Sequence, residues 1–239
     1  FAPTEGAREN LLKEGCEPSR VVKTGNTVID ALLLATGKVS SPSIEALFSV
    51  PASSRVMLLT AHRRESWGEP LRRICSAVAT LIEENADLWA IVPMHRNPEV
   101  RRVFQEELPK EERIILCDPL DYPDFIWAMK RSDLILTDSG GIQEETTVLG
   151  TPTLVMRELT ERPEAIEFGT SLLVGINADR ILAAARRILR GDREGFPGDP
   201  SEDELPFGSG NASEKIVESI EKLFLSETRH DRDLNSLIQ

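Results

Sequence analysis

At 239 residues the chain has the length for one large domain, or one domain with an appendage. Its 40 acidic against 28 basic side chains leave a formal net charge of -12, which speaks against nucleic acid and against an anionic membrane surface as partners. Three widely spaced cysteines (Cys16, Cys75, Cys117) without a CxxC pair exclude a disulfide framework and fit a reducing cytoplasm, while apolar runs too short to span a bilayer exclude a membrane protein.

In chain order, Phe1-Ala-Pro-Thr-Glu opens without Met and reads as the interior of a longer protein. Ala7 to Glu14 has a short helical pattern that Gly15 can stop, and Val21 to Thr24 is a brief extended piece. Thr27 to Ala35 is helical by spacing, and Lys38 to Ser54, with its prolines and serines, is the best linker candidate. From Arg55 the pattern becomes regular. Strands are expected at 56–60, 88–92, 114–117, 134–137, 153–156 and 171–174. Helices are expected between them at 69–85, 98–108, 122–131, 142–149 and 181–189. An acidic Gly/Pro-rich loop over 192–210 then leads to a helix over 212–225 and a polar tail, 226–239, that is expected to be loose.

Strands that are apolar along their whole length and alternate with helices call for a parallel sheet covered on both faces. The expected fold is therefore α/β, a doubly wound Rossmann-like parallel sheet, whose ligands sit at the carboxyl ends of the strands. The polar residues fall at those ends. His62, Arg63 and Arg64 follow the first strand, His95 and Arg96 the second, and Arg157 and Arg162 the fifth, making one locally basic rim on an acidic chain. After the fourth strand, Ser139-Gly140-Gly141 opens a helix closed by Gly150, a pattern that presents free amides and a helix N-terminus to a phosphate. Its plain alternative is a Ser cap and a glycine turn. Glu144 or Glu145 can complete a capping box or accept two ribose hydroxyls. Tyr122 and Phe125 can line a base pocket or simply pack. Together these residues describe a sugar-nucleotide or nucleoside-diphosphate site. No GxxxxGK[ST] or post-strand GxGxxG occurs, so neither a P-loop NTPase nor a dinucleotide cofactor is expected. The two histidines lack zinc-pair spacing, so no metal is assigned.

Five motifs then carry a family likeness: Thr24-Gly-Asn-Thr-Val-Ile-Asp-Ala, Thr60-Ala-His-Arg-Arg-Glu-Ser, Pro93-Met-His-Arg-Asn-Pro, Thr137-Asp-Ser-Gly-Gly-Ile-Gln-Glu-Glu and Thr160-Glu-Arg-Pro-Glu-Ala. In order and separation they resemble the non-hydrolysing UDP-N-acetylglucosamine 2-epimerases, over about Phe1 to Leu225. The resemblance implies the C-terminal half of a glycosyltransferase-B-like fold. It also implies interconversion of UDP-GlcNAc and UDP-ManNAc by UDP elimination and re-addition, with no cofactor and no metal. By the same resemblance His62 is the catalytic residue of this half. Ser139, Gly140, Gly141 and Arg162 would hold the diphosphate, Glu145 the ribose and Phe125 the uracil, while Arg63 and His95 would contact a second, activating UDP-GlcNAc. The expected organisation is a segment 1–54 joining from a missing N-terminal domain, a UDP-binding domain with its C-terminal helix over 55–225, and the tail 226–239. On that reading the chain is a C-terminal piece, inactive alone, whose homodimer contacts lie in the missing half and whose pathway supplies surface polysaccharide. A different glycosyltransferase-B enzyme and a non-catalytic nucleotide-sugar binding module are the competing expectations.

Overall fold

Six short runs rich in Leu, Ile and Val, each followed by a helical stretch, assemble into one all-parallel sheet in the computed structural model, which describes residues 1–39, 41–192, 194, 196 and 205–236, the part 226–236 as backbone only. The chain divides into two units, Phe1–Leu33 with the described residues of Glu202–Gln239, and the described residues of Leu34–Ser201. No helix among the described residues is long and apolar enough to cross a membrane.

The larger unit holds the sheet. Its strands are β1 (Arg55–Thr60), β2 (Leu88–Pro93), β3 (Ile114–Cys117), β4 (Leu134–Thr137), β5 (Thr153–Val155) and β6 (Ser171–Leu173), in the spatial order β3-β2-β1-β4-β5-β6. The chain winds outward from β1 to β3, then crosses to β4 and winds out the other way. Neighbouring β1 and β4 are therefore the switch point, where loops leave in opposite directions and open a crevice. Their register pairs Met57 with Leu134 and Thr60 with Thr137, so both strands end level at that crevice.

Both sheet faces are covered, which is why these strands are apolar without alternation. Met57, Leu59, Leu134 and Leu136 join one core cluster with Leu71, Ile74, Val78 and Leu81 of the helix Glu69–Glu84, and with Ile181, Ala185 and Ile188 of the helix Ala178–Leu189. Val56, Leu58 and Ile135 are equally buried and point to the opposite face, following the period-two alternation of a strand. Each fully buried Leu or Ile contributes about 1.5–3 kcal/mol of transfer free energy. The remaining helices are Pro98–Glu107, Tyr122–Arg131, Gly140–Leu149 and two short ones, Glu45–Phe48 and Pro163–Glu167. In chain order the helices are α1 (Glu5–Lys13), α2 (Thr27–Thr36), α3 (Glu45–Phe48), α4 (Glu69–Glu84), α5 (Pro98–Glu107), α6 (Tyr122–Arg131), α7 (Gly140–Leu149), α8 (Pro163–Glu167), α9 (Ala178–Leu189) and α10 (Ala212–Ser236).

In the smaller unit Thr4 caps α1 by accepting from the Ala7 amide at 3.0 Å, and Ala2 bridges Lys23 in parallel. The Asp30 carboxylate of α2 accepts from the Ala212 and Ser213 amides at 3.1 and 2.8 Å, closing the start of α10. Burial opposes ionisation of Asp30, yet the amides of Ser213 and Ala212 hold its carboxyl below the usual range. Gly25 and Gly208 cross closely here; a Cβ on Gly25, where φ is +86°, would lie 3.1 Å from the Phe207 carbonyl oxygen.

Several expectations move, among them the start of α1, at Glu5 rather than Ala7. The linker candidate contains α3, α7 begins at Gly140 rather than Ile142, and α9 begins at Ala178, where the Asn177 cap sets its start. Helix α10 continues to Ser236, past the expected end at Leu225. Most of the acidic loop, and residues 237–239 of the tail, lie outside the described residues.

Candidate functional site

The crevice between β1 and β4 is built by two hydroxyls and one carboxylate. Thr60 and Thr137, level at the strand ends, share a hydrogen bond of 2.7 Å between their Oγ1 atoms. The Ser139 amide donates to the Thr137 hydroxyl at 3.0 Å, which turns the chain out of β4. Between them Asp138 is fully buried. Its carboxylate reaches back across the crevice and accepts from the amides of His62 and Arg63, each at 2.9 Å, and from the Ser66 hydroxyl at 2.9 Å. The ring of His62 adds a fourth contact, Nδ1 lying 2.8 Å from Asp138 Oδ1. Burial alone would raise the Asp138 pKa, but the bond from the His62 ring and the Arg63 and His62 amides outweigh it and hold the carboxyl below its ordinary value. An ionised carboxylate accepts only, so Nδ1 carries the proton and Nε2 is the ring atom left for a ligand.

Helix α7 starts immediately after this anchor. Ser139 occupies the cap position yet makes no side-chain capping bond, so the plain cap reading of Ser139 does not hold. Gly140 and Gly141 form the first turn, ahead of the first intrahelical bonds. Neither glycine has a positive φ. The nearest atoms a Cβ on Gly140 would meet belong to the Arg162 guanidinium, at 3.7 Å, and one on Gly141 would meet Ser139 Oγ at 3.9 Å, both ordinary contacts. Two glycines in a helical turn each cost about 1 kcal/mol relative to alanine. Among the described residues no close contact requires them, and neither does a positive φ. Their physical use is to let an outside group approach the amides and the positive helix end.

Arg162 lies over that turn and pairs with the buried Glu144 through Nε. Its own amide donates to Thr160 Oγ1 at 3.0 Å; Thr160 donates to Gln143 Oε1 at 2.7 Å, and Gln143 Nε2 donates to the Ser139 carbonyl at 2.9 Å. The loop carrying Arg162 is thereby tied to the loop that opens α7. Glu145, one residue on from Glu144, is also buried; Oε1 accepts from the Tyr122 hydroxyl at 2.8 Å. Burial raises the pKa of both carboxyls, opposed by Arg162 at Glu144 and by Tyr122 at Glu145. Gly141 and Glu145 are four residues apart, so they share one stripe of α7 about 6 Å apart along the axis.

Around this centre, the His62 and His95 rings lie 6.3 Å apart between centroids, with His95 Nδ1 accepting from the Asn97 amide at 3.2 Å. Phe125 is half-buried on α6, one turn beyond Tyr122. Arg63 lies 3.9 Å from Glu161. The expected basic rim is partly neutralised. Arg157 is buried and spends its guanidinium on Glu65 at 2.8 Å and on Glu161 at 2.5 and 2.9 Å, so it staples two loops rather than facing a ligand. Asp138, Gln143 and Thr160 carried no assigned role in the sequence. A charged residue set directly at the end of a buried strand was the signal for Asp138. No group of three or more His, Cys, Asp or Glu among the described residues could hold a metal ion.

Comparison with known proteins gives this geometry a family. The UDP-N-acetylglucosamine 2-epimerase profile matches residues 1–221. The UDP-N-acetylglucosamine 2-epimerase of Salmonella typhimurium is 40% identical over 232 residues, 95% of this chain and 61% of that protein. That of Yersinia pestis is 42% identical over 226 residues, 92% of this chain and 60% of its own. Among solved structures, the Neisseria meningitidis UDP-GlcNAc 2-epimerase bound to UDP-GlcNAc superposes with a TM-score of 0.86 at 38% identity, covering 93% of this chain and 61% of that one. The S. aureus MnaA–UDP structure gives 0.85 at 41% identity, covering 95% and 60%. A sucrose-phosphate synthase from Thermosynechococcus elongatus, at 17% identity and 0.60, covering 95% and 58%, shares the fold alone. The fold is thus Rossmann-like, as found within glycosyltransferase-B-like proteins. The chain spans about three-fifths of the length of the curated relatives it matches, in their C-terminal portion. With the profile covering most of its length, the chain belongs to the UDP-N-acetylglucosamine 2-epimerase family.

Proposed function

We propose that the complete protein interconverts UDP-GlcNAc and UDP-ManNAc by eliminating and re-adding UDP, and that this chain supplies the seat for the leaving UDP. The observation that carries the proposal is the start of α7. Two glycines that the fold does not need present their amides beside an Asp138-oriented His62 and under the Arg162 guanidinium. A diphosphate suits that set: neutral amides, a helix end, one forked cation and one ring nitrogen. As the C1–oxygen bond breaks, negative charge grows on the departing phosphate oxygen. Preorganised donors aimed there stabilise the transition state more than the ground state. Catalytic His62 is assigned that role, which requires its ring to carry a proton on Nε2 as well as on the Nδ1 that faces Asp138, with Ser139, Gly140, Gly141 and Arg162 holding the remaining phosphate oxygens.

From this seat, Glu145 is about 6 Å further along α7, a suitable reach for the ribose hydroxyls next to the diphosphate. Glu144 pairs with Arg162, which leaves Glu145 as the better carboxylate for the sugar. Phe125 is assigned to the uracil. Arg63 and His95, at the outer edge beside His62, are assigned to a second, activating UDP-GlcNAc. No residue of this crevice is assigned proton transfer at C2, so the 239-residue chain is expected to bind UDP without epimerising. The same reading places the reaction in the cytoplasm, makes the activated sugar a supply for surface polysaccharide, and puts homodimer contacts outside this chain; the three free cysteines support the reducing setting.

The test is calorimetric titration of UDP into the chain and into His62→Ala and Glu145→Ala. Each lost charged hydrogen bond should cost about 1.5–3 kcal/mol. Unchanged affinity in both variants would remove these residues from the site, and epimerase turnover by the chain alone would end the half-site reading.

A further inference from the structure

We propose that Tyr122 is the specificity-determining residue that fits this site to a ribonucleotide rather than a 2′-deoxyribonucleotide, by fixing the Glu145 carboxylate in the orientation that accepts from both ribose hydroxyls. The inference rests on the reading above in which Glu145 receives the ribose.

Tyr122 is the single tyrosine of the chain. It opens α6, where Asp121 caps the helix by accepting from the Asp124 amide at 3.0 Å and Pro123 stiffens the first turn. That start sets the direction of the Tyr122 ring. Its hydroxyl donates to Glu145 Oε1 at 2.8 Å, while the residue as a whole is 39% exposed, so Tyr122 links the buried carboxylate to the surface. Phe125, three residues on, shares the same face of α6. One helix turn therefore addresses both the base, through Phe125, and the sugar, through Tyr122 and Glu145.

The chemistry of the pair follows from its acceptors. An ionised carboxylate donates nothing and offers about four lone-pair directions. Tyr122 takes one, and two ribose hydroxyls fill two more. Burial raises the pKa of Glu145, the tyrosine donation opposes that rise and the neighbouring Glu144 adds to it. A nucleotide lacking the 2′-hydroxyl leaves a buried acceptor without a donor, a loss that sites built around a substrate hydroxyl convert into discrimination. Without the Tyr122 hydroxyl the carboxylate can rotate about its last torsion, which is broad for this side chain, and turn either oxygen to the remaining hydroxyl. Discrimination then falls although the carboxylate is still present.

The experiment is titration of UDP and of 2′-deoxy-UDP into the 239-residue chain, into Tyr122→Phe and into Glu145→Gln, with a thermal melt of each. The chain itself should bind UDP tighter than 2′-deoxy-UDP by on the order of tenfold. Tyr122→Phe should keep binding both but lower that ratio by about threefold or more, and Glu145→Gln should nearly abolish it, each being less than the hydrogen bond's full worth. If Tyr122→Phe does not fold, Tyr122→Leu carries the same expectation. A preference that survives unchanged in the tyrosine variant overturns the role of Tyr122 and leaves the ribose reading intact. Equal binding of the two nucleotides by the unaltered chain overturns the ribose assignment of Glu145 itself, and binding of neither overturns the UDP seat with it.

Discussion

Helices α7 and α9 both follow parallel strands in the same sheet, and their first turns are built in opposite ways. At α9 the cap residue Asn177 accepts from the Arg180 amide at 3.1 Å, so the helix closes its own end. The starts of α1, α5 and α6 are closed in the same manner by Thr4, Asn97 and Asp121. At α7 the cap residue is Ser139, a good capping type, yet it makes no such bond, and two glycines follow it. A helix that satisfies its first amides is finished as structure. One that leaves them to an outside group, and accepts the glycine penalty, is arranged around a ligand. The starts of α3, α4 and α8 also lack a side-chain cap, so an open start marks no site by itself; at α7 it coincides with two glycines in the first turn.

The largest effect expected on this contrast is at the anchor beneath α7. Asp138→Asn replaces a buried acceptor of four hydrogen bonds with a group that must donate from one side, and should cost about 2–3 kcal/mol of stability in denaturant unfolding. Its pH dependence gives a second readout. The folded-state pKa of Asp138 is lowered, so its contribution is complete above the ordinary carboxylate value of about 4 and is lost as pH falls through the lower folded value. The unaltered chain should therefore lose stability more steeply than Asp138→Asn on acidification below about pH 4. Glu144 and Glu145, whose pKa values are raised, shift the opposite way but are present in both proteins.

Next in size is Gly141→Ala. Alanine should raise stability by up to about 1 kcal/mol through helix propensity while its methyl, set on the exposed side of the first turn, weakens UDP by on the order of tenfold. Opposite signs in a thermal melt and a UDP titration would distinguish a ligand seat from a plain turn. Smaller still is the paired exchange of the two cap residues. Asn177→Ala should cost about 1 kcal/mol of stability and leave UDP binding alone. Ser139→Ala should change stability by less than about 0.5 kcal/mol and still weaken UDP. A large stability loss from Ser139→Ala would erase the distinction between the two helix starts.

Much of this was legible in the sequence because the signals were local. Apolar strands without alternation gave the parallel sheet, and Gly150 marked the end of α7, where it adopts φ +67°. The clustering of His62, His95 and Ser139 followed from one rule about strand ends, and the 6.3 Å approach of the two rings agrees with it. The start of α9 was missed because Ala178, Asp179 and Arg180 carry no apolar periodicity, although Asn177 was a capping signal in plain view. What could not be read were pairings over long sequence separation. That Arg157 joins Glu65, that Glu144 rather than Glu145 holds Arg162, and that Asp138 reaches back to His62 depend on which strands adjoin. Composition and spacing carry no such information until the order of strands is known.

The central claim is that the first turn of α7 receives the diphosphate of UDP, and it is tested most directly by following the backbone amide resonances of Gly140 and Gly141 by NMR during titration with UDP and, separately, with uridine. Large saturable shifts at both glycines with UDP, absent with uridine, are the predicted result, with the Arg180 amide at the start of α9 unmoved as the internal reference. UDP shifts that leave Gly140 and Gly141 in place while moving amides elsewhere would contradict the account.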